Sequence, residues 1–322
     1  MRFSEQTVKL SWIDSSDDTY RITTKTMIDD LVDSIKKVGL INPPILIEKT
    51  RSGTKPSFVI VGGFRRIKAC QRLRGSTIKA RILDSDTSKL ECVKLAITDN
   101  ALQRPLNLIE ESRSISMLSA FITEHDRIDR EASTLGLPDN PTIIKKITNI
   151  CRLPWPIQNG ILTNTISLAM ALELGRLAQK AGVALADLFS DLRLSLSKQR
   201  EIIIVAKEIA LRERISILEV LEDNYLQQIV NSKEFDRTQK TRKIRSYLKQ
   251  RRFPELSKAE KEFKNHVKEL KLGSEAKLIP PHNFEGTTYT LSLYFKNKKE
   301  LNNHLSILGK IIKNPVLEKI LD

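Results

Sequence analysis

Cysteine is scarce in this chain, and long apolar runs and excess negative charge are absent. The three cysteines, Cys70, Cys92 and Cys151, are odd in number and widely spaced. That pattern excludes a disulfide framework and lacks the paired spacing of a zinc site; apolar neighbours at helical spacing point to buried free thiols. No apolar run approaches the roughly 18 residues that cross a bilayer. The N-terminus MRFSEQTVKLSW holds no signal-peptide apolar core, so the expectation is a soluble, cytoplasmic protein with no membrane partner. No short-period repeat or low-complexity tract interrupts the sequence. Fifty-four Lys and Arg against 39 Asp and Glu give a formal net charge of +15, which calls for a polyanionic partner; charge alone does not choose between nucleic acid and an anionic membrane. At 322 residues the chain can bury the cores of two or three small domains.

Periodicity divides it into three. From Thr26 to about Asp84 the order is helix, strand, strand, helix, strand. The first helix is expected to start at Thr26 with Asp29 three residues on, to place Ile28, Leu31, Ile35 and Val38 on one face, and to stop at Gly39. PILIEK and SFVIVGG read as strands around the polar turn TRSGTKPS, a glycine-led helix packs through Ile67, Cys70 and Leu73, and TIKARIL supplies another strand. This is an α+β domain and not a dinucleotide fold. From Ser88 onward the chain reads as helical for about 165 residues, with capping boxes at Ser88/Glu91 and Asn107/Glu110. A basic helix, RTQKTRKIRSYLKQRR, ends at Pro254. A charged helix, strands at AKLIP and TYTLSLYF with Gly286 between them, and the helix KKELNNHLSILGKII follow. The expected domains are residues 1–105, 106–253 and 254–322.

Two constellations carry chemistry. In VIVGGFRRIKA a strand runs through Gly62 and Gly63 into a helix whose first turn holds Arg65 and Arg66. Cations there oppose the helix dipole, whereas glycine-thin backbone, free N–H groups and guanidinium forks together suit a phosphate. A plain glycine turn with solvated arginines is the competing reading. In TDNALQRPLNLIEE, Asp99 and Asn100 are hard oxygen donors of the kind magnesium takes when water and phosphate fill most of its shell; they are also ordinary helix-break residues.

GLINPPILI, VGGFRRIKA and DNALQRPLNLIEE together resemble the ParB partition proteins, whose N-terminal domain carries Gly-x-x-Gln-Pro, Gly-Glu-Arg-Arg and Glu-Asn-x-x-Arg followed by Leu-Asn-Pro-Ile-Glu-Glu, in that order. Downstream, Ala132 and Gly136 in DREASTLGL have helix-turn-helix spacing. PTIIKKITNICRLP would then be the recognition helix, burying Ile144, Ile147 and Ile150 and presenting Thr142, Lys145, Lys146, Asn149 and Arg152 to DNA. The tail is similar to the family's dimerisation domain, with Leu291, Leu293 and Phe295 facing a core and Leu301, Leu305, Leu308 and Ile312 in a stripe.

The resemblance implies a homodimer that binds CTP and Mg2+, recognises a palindromic centromere-like site on double-stranded DNA, closes into a sliding clamp, resets by weak CTP hydrolysis, works with a ParA-type ATPase and is nucleoid-associated. Gly39, Asn42 and Pro43 would line the base; Gly62, Gly63, Arg65 and Arg66 would hold phosphates; Asp99 and Asn100 would organise the metal. Gln103 and Arg104 are rival candidates for the motif's arginine. There are departures: Phe64 replaces the glutamate of Gly-Glu-Arg-Arg, Asn42 a glutamine, and Asp99 a glutamate. Three readings stay open: a CTP-gated clamp for a chromosome, plasmid or phage genome; a ParB-derived DNA-binding regulator with a degenerate nucleotide site; and a small-molecule kinase, since the N-terminal domain also resembles sulfiredoxin.

Overall fold

The computed structural model describes residues 2–49, 56–122, 125–273 and 275–321. The chain divides into two compact units, residues 1–190 and 191–322; the expected boundaries after 105 and after 253 fall inside them.

The first unit opens with β1 (Phe3–Lys9) and β2 (Ile13–Asp14). Helix α1 (Asp29–Val38) follows, then β3 (Ile45–Glu48), β4 (Phe58–Gly62), α2 (Phe64–Arg72) and β5 (Thr77–Leu83). The five strands form a mixed sheet in the order β1-β5-β3-β4-β2. β1 pairs antiparallel with β5 from Phe3↔Leu83 to Lys9↔Thr77, β3 pairs antiparallel with β4 and parallel with β5, and β2 runs parallel to β4. Every residue of β4 is buried, as its unbroken apolar run requires. Ile67 and Cys70 of α2 join Leu46, Ile60, Ile78 and Ile82 in one core, with Phe64 packed at its margin.

Two expectations here are corrected. Helix α1 begins at Asp29 after Ile28, without a side-chain cap, so Thr26 and Asp29 do not form a capping pair. Its apolar face also ends early: Ile28 is buried but Val38 is largely exposed. The turn expected over Thr50–Ser57 lies, apart from its last two residues, outside the described residues. β1 was not signalled by sequence, since all of its residues except Val8 are exposed.

Helices complete the unit: α3 (Lys89–Ala101), α4 (Leu108–Ser119), α5 (His125–Thr134), α6 (Pro141–Ile147), α7 (Trp155–Leu162), α8 (Leu168–Leu174) and α9 (Gln179–Leu192), the last ending just past the unit boundary. Ser88/Glu91 and Asn107/Glu110 form the capping boxes of α3 and α4. After α5, Gly136 turns the chain at φ 74°, a left-handed conformation that favours glycine, while the buried Ala132 accepts through its carbonyl from the N–H groups of Leu135 and Leu137.

The second unit is α10 (Leu196–Glu213), α11 (Ile217–Leu221), α12 (Asn224–Asn231), α13 (Arg237–Arg252), α14 (Pro254–Glu269), an antiparallel ribbon of β6 (Ala276–Ile279) and β7 (Thr290–Leu293), α15 (Lys298–Ile312) and α16 (Pro315–Leu321). Leu291 and Leu293 are half-buried, but Phe295 is exposed rather than core-facing. Leu301, Leu305 and Ile312 are exposed as well.

Candidate functional site

β4 delivers Gly62 and Gly63 to the foot of α2, where Gly63 takes φ 90°. A Cβ at Gly63 would sit about 2.9 Å from Pro44 Cβ and 3.0 Å from its Cα, so this junction tolerates no side chain. The C-terminal end of α3 faces the same junction. A cleft of about 230 Å³ opens between them, lined by Asn42, Gly63, Arg65, Arg66, Asp99, Asn100, Gln103 and Arg104 together with Ile22, Thr23, Leu31 and Phe64.

Eight of the eleven nucleotide-site expectations therefore meet in one wall. The other three sit beside it: exposed Gly39 caps α1 at φ 83°, Pro43 offers its carbonyl to Arg66, and buried Gly62 lies under the Asp99 carboxylate. The paired arginines find partners within the protein. Arg65 donates to the carbonyl of Met27 at 2.7 and 3.2 Å. Arg66 donates to the carbonyls of Asn42 and Pro43 and, at 2.9 Å, to Asp99 Oδ2. The other Asp99 oxygen accepts from Gln103 Nε2 at 3.1 Å, and Asn100 Nδ2 donates back to the Ala96 carbonyl. The misplaced charges are thus partly offset by carbonyl dipoles and one carboxylate, with Arg66 and Asp99 each about four-fifths buried.

Helix α3 ends at Ala101, so Gln103 and Arg104 lie in the following turn and a one-residue shift between them is not a helical rotation. Their roles separate: Gln103 serves Asp99, while Arg104 donates to both oxygens of Glu110 at 2.7 and 2.9 Å. Glu110 is fully buried and also accepts from Thr24 N, Thr24 Oγ1 and Asn107 N. Burial alone would raise its pKa; the hydrogen bonds from Arg104, Thr24 and Asn107, with the Arg104 charge, outweigh that and bring it down to about 2. Sequence reasoning found Glu110 only as a cap. Its link to Thr24, 86 residues away, left no local signal.

Farther along, α6 buries Ile144 and Ile147 and leaves Thr142, Lys145 and Lys146 exposed, but it stops at Ile147, short of the helix expected to Pro154; exposed Asn149 lies in the turn that follows, before a short 3-10 segment at Ile150–Arg152. Asn140 caps it through Thr142 N and Ile143 N. Arg152, also exposed, donates to Ser116 Oγ at 3.3 Å. The basic helix α13 differs, because its cations are largely spent inside the second unit. Arg245 pairs with Glu201, Arg251 with Glu213 and Asp223, Arg252 with Glu208, and Lys249 with Glu260. Lys240 donates to the Val230 carbonyl and Lys243 lies over Phe235.

Fold and cleft define the class first: an α+β domain with a cation-lined, glycine-floored cleft, followed in the chain by helices that expose further cations. Residues 4–101 match the ParB N-terminal domain. Relatives include the probable chromosome-partitioning protein ParB of Campylobacter jejuni, 29% identical over 210 residues that make up 65% of this chain and 70% of the relative. That of Helicobacter pylori is 22% identical over 46% of this chain and 47% of its own. A C-terminally truncated ParB from Caulobacter crescentus, solved with CTP-γ-S, is 22% identical, covering 58% of this chain and 98% of that one with a TM-score of 0.27. Residues 4–101 thus carry a ParB N-terminal domain, and the chain is similar to chromosome-partitioning ParB proteins over as much as 65% of its length. Among the described residues no helix is long and apolar enough to cross a membrane.

Proposed function

We propose that this chain is a CTP-binding, DNA-binding partition protein of the ParB type. The observation that carries the reading is the meeting of Asn42, Gly63, Arg65, Arg66, Asp99, Asn100, Gln103 and Arg104, from segments up to 62 residues apart, around one cleft. A triphosphate entering it meets two guanidinium forks and the unpaired N–H groups at the start of α2. Arg66 exchanges part of its bonding to Asp99 for phosphate oxygens, so nucleotide arrival loosens the α2–α3 contact that the 2.9 Å ion pair now holds. Asp99 and Asn100 offer one carboxylate and one amide. No group of three or more His, Cys, Asp or Glu side chains with metal-binding geometry occurs among the described residues, so this donor set suits a magnesium ion that takes most of its ligands from phosphate and water. When bound, such an ion supplies charge neutralisation between phosphate oxygens.

In this reading Thr142, Lys145 and Lys146 of α6, with Asn149 and Arg152 just after it, contact a palindromic centromere-like DNA site. The exposed Leu301, Leu305 and Ile312 of α15 pack against a second copy, a ParA-type ATPase is the motor partner, and slow CTP hydrolysis resets the assembly at the nucleoid. A second reading, DNA binding without a nucleotide switch, is favoured by one observation: Arg104 commits its guanidinium to Glu110 and the Pro105 carbonyl. Calorimetric titration with CTP, ATP and GTP plus magnesium, on the natural chain and on Arg66→Gln, decides between them. Selective CTP binding lost in the variant supports the switch; no nucleotide binding, with or without DNA, leaves the second reading.

A further inference from the structure

A second cleft, of about 200 Å³, lies on the other side of Arg65. It shares Thr23, Phe64 and Arg65 with the first, but its remaining wall comes from the segment before α1 and the outer side of α2. Arg21, Lys25, Arg65 and Lys68 line it, and Asp18 is the one carboxylate in that wall. Lys25 and Lys68 are exposed, and neither has an ion-pair or hydrogen-bond partner for its ammonium among the described residues. Arg21 spends Nη1 on the two Asp18 oxygens at 3.2 Å, while its Nε is closed off from solvent without a partner. A buried, unpaired N–H on a cation is costly and calls for an acceptor. Behind it stands a second guanidinium, Arg113, which donates to the carbonyls of Ile22 and Thr23. Burial and the facing Arg21 charge pull the Arg113 pKa down. Two like charges are held close, with Asp18 pairing Arg21 and Glu110, already committed to Arg104, acting on Arg113 as well; an added anion at Arg21 relieves the repulsion.

We propose that this second cleft binds a small phosphate oxoanion, held by Arg21, Lys25 and Lys68, at a site separate from the nucleotide cleft. The chemistry is that of a mono- or diphosphate group, and two sources share it: a free anion, or the far end of a nucleotide tail reaching past Arg65.

Inorganic pyrophosphate titrated calorimetrically into the full chain tests this. The double variant Lys25→Gln/Lys68→Gln removes two exposed charges without touching the core, and is expected to weaken pyrophosphate about tenfold or more. Arg66→Gln, in the other cleft, is expected to leave the lysine-dependent part of the binding within about twofold of the natural chain's. Because the two variants sit in different clefts, failure of the nucleotide reading and failure of this one are distinguishable. Repeating the titration at saturating CTP separates the sources: retained, lysine-dependent binding marks a free anion, and loss of binding marks a nucleotide tail. No pyrophosphate binding up to about 10 mM, or binding that the lysine substitutions leave unchanged, overturns the proposal.

Discussion

Replacing Glu110 by glutamine removes a single charge from a side chain that no solvent reaches and that five donors surround. Shape is kept, but the new amide turns an N–H toward groups that are themselves donors. A carboxyl whose pKa falls from 4.5 to about 2 on folding contributes about 3 kcal/mol at neutral pH, a size consistent with breaking a buried ion pair by removing one partner. The sign follows from the direction of the shift. The folded state holds the carboxylate ionised where the unfolded chain would protonate it, so the contribution is complete above about pH 5. It falls to less than half near pH 3, and vanishes as pH drops through the folded-state value. Urea unfolding followed by tryptophan fluorescence reads this directly, because both tryptophans, Trp12 and Trp155, lie in the first unit with Glu110. Glu110→Gln is expected to be about 3 kcal/mol less stable at pH 7, with the gap to the natural chain narrowing by half or more at pH 3. A loss below about 1 kcal/mol at pH 7, or a gap that does not change with pH, would refute the argument that this carboxylate anchors the α3–α4 turn to the segment before α1.

Three further outcomes are expected. Ellman titration of the folded chain should report Cys151 first, with Cys70 and Cys92 reacting only on unfolding, since burial raises both of their pKa values; three equally fast thiols would contradict that packing. Lys145→Glu with Lys146→Glu should weaken DNA binding and lower the slope of log K against log salt by about 2; an unchanged slope in a salt series would move the interface off α6. Leu305→Lys with Ile312→Lys should shift sedimentation equilibrium toward monomer while far-UV circular dichroism stays unchanged, because both side chains are exposed within the single chain. An unaltered sedimentation profile would place any dimer contact elsewhere.

Much of the local architecture was legible. The capping boxes at Ser88 and Asn107, the limits of α13 and the buried Ile144 and Ile147 of α6 follow from side-chain chemistry a few residues apart. The cleft was legible only through family resemblance, since Asn42, Gly63 and Asp99 are joined by sheet topology and not by spacing. What escaped has physical reasons. β1 is an exposed edge whose hydrogen bonds to β5 do not show in its hydrophobic pattern. The start of α1 is set without a side-chain cap. The bond from Thr24 to Glu110 spans 86 residues, and Phe295 lies exposed despite the strand-like alternation that suggested a core position.

The ion pairs of α13 bear on how this protein could be re-engineered. A designer seeking to reduce its positive charge would look first at RTQKTRKIRSYLKQRR, the densest basic stretch, and expect those residues to be dispensable. Arg245, Arg251 and Arg252 instead tie that helix to the acids of α10. Neutralising them would strand Glu201, Glu213 and Glu208 and loosen the helix pair. Arg237 and Arg242, exposed and outside these pairs, are the positions where charge can be removed with the packing intact.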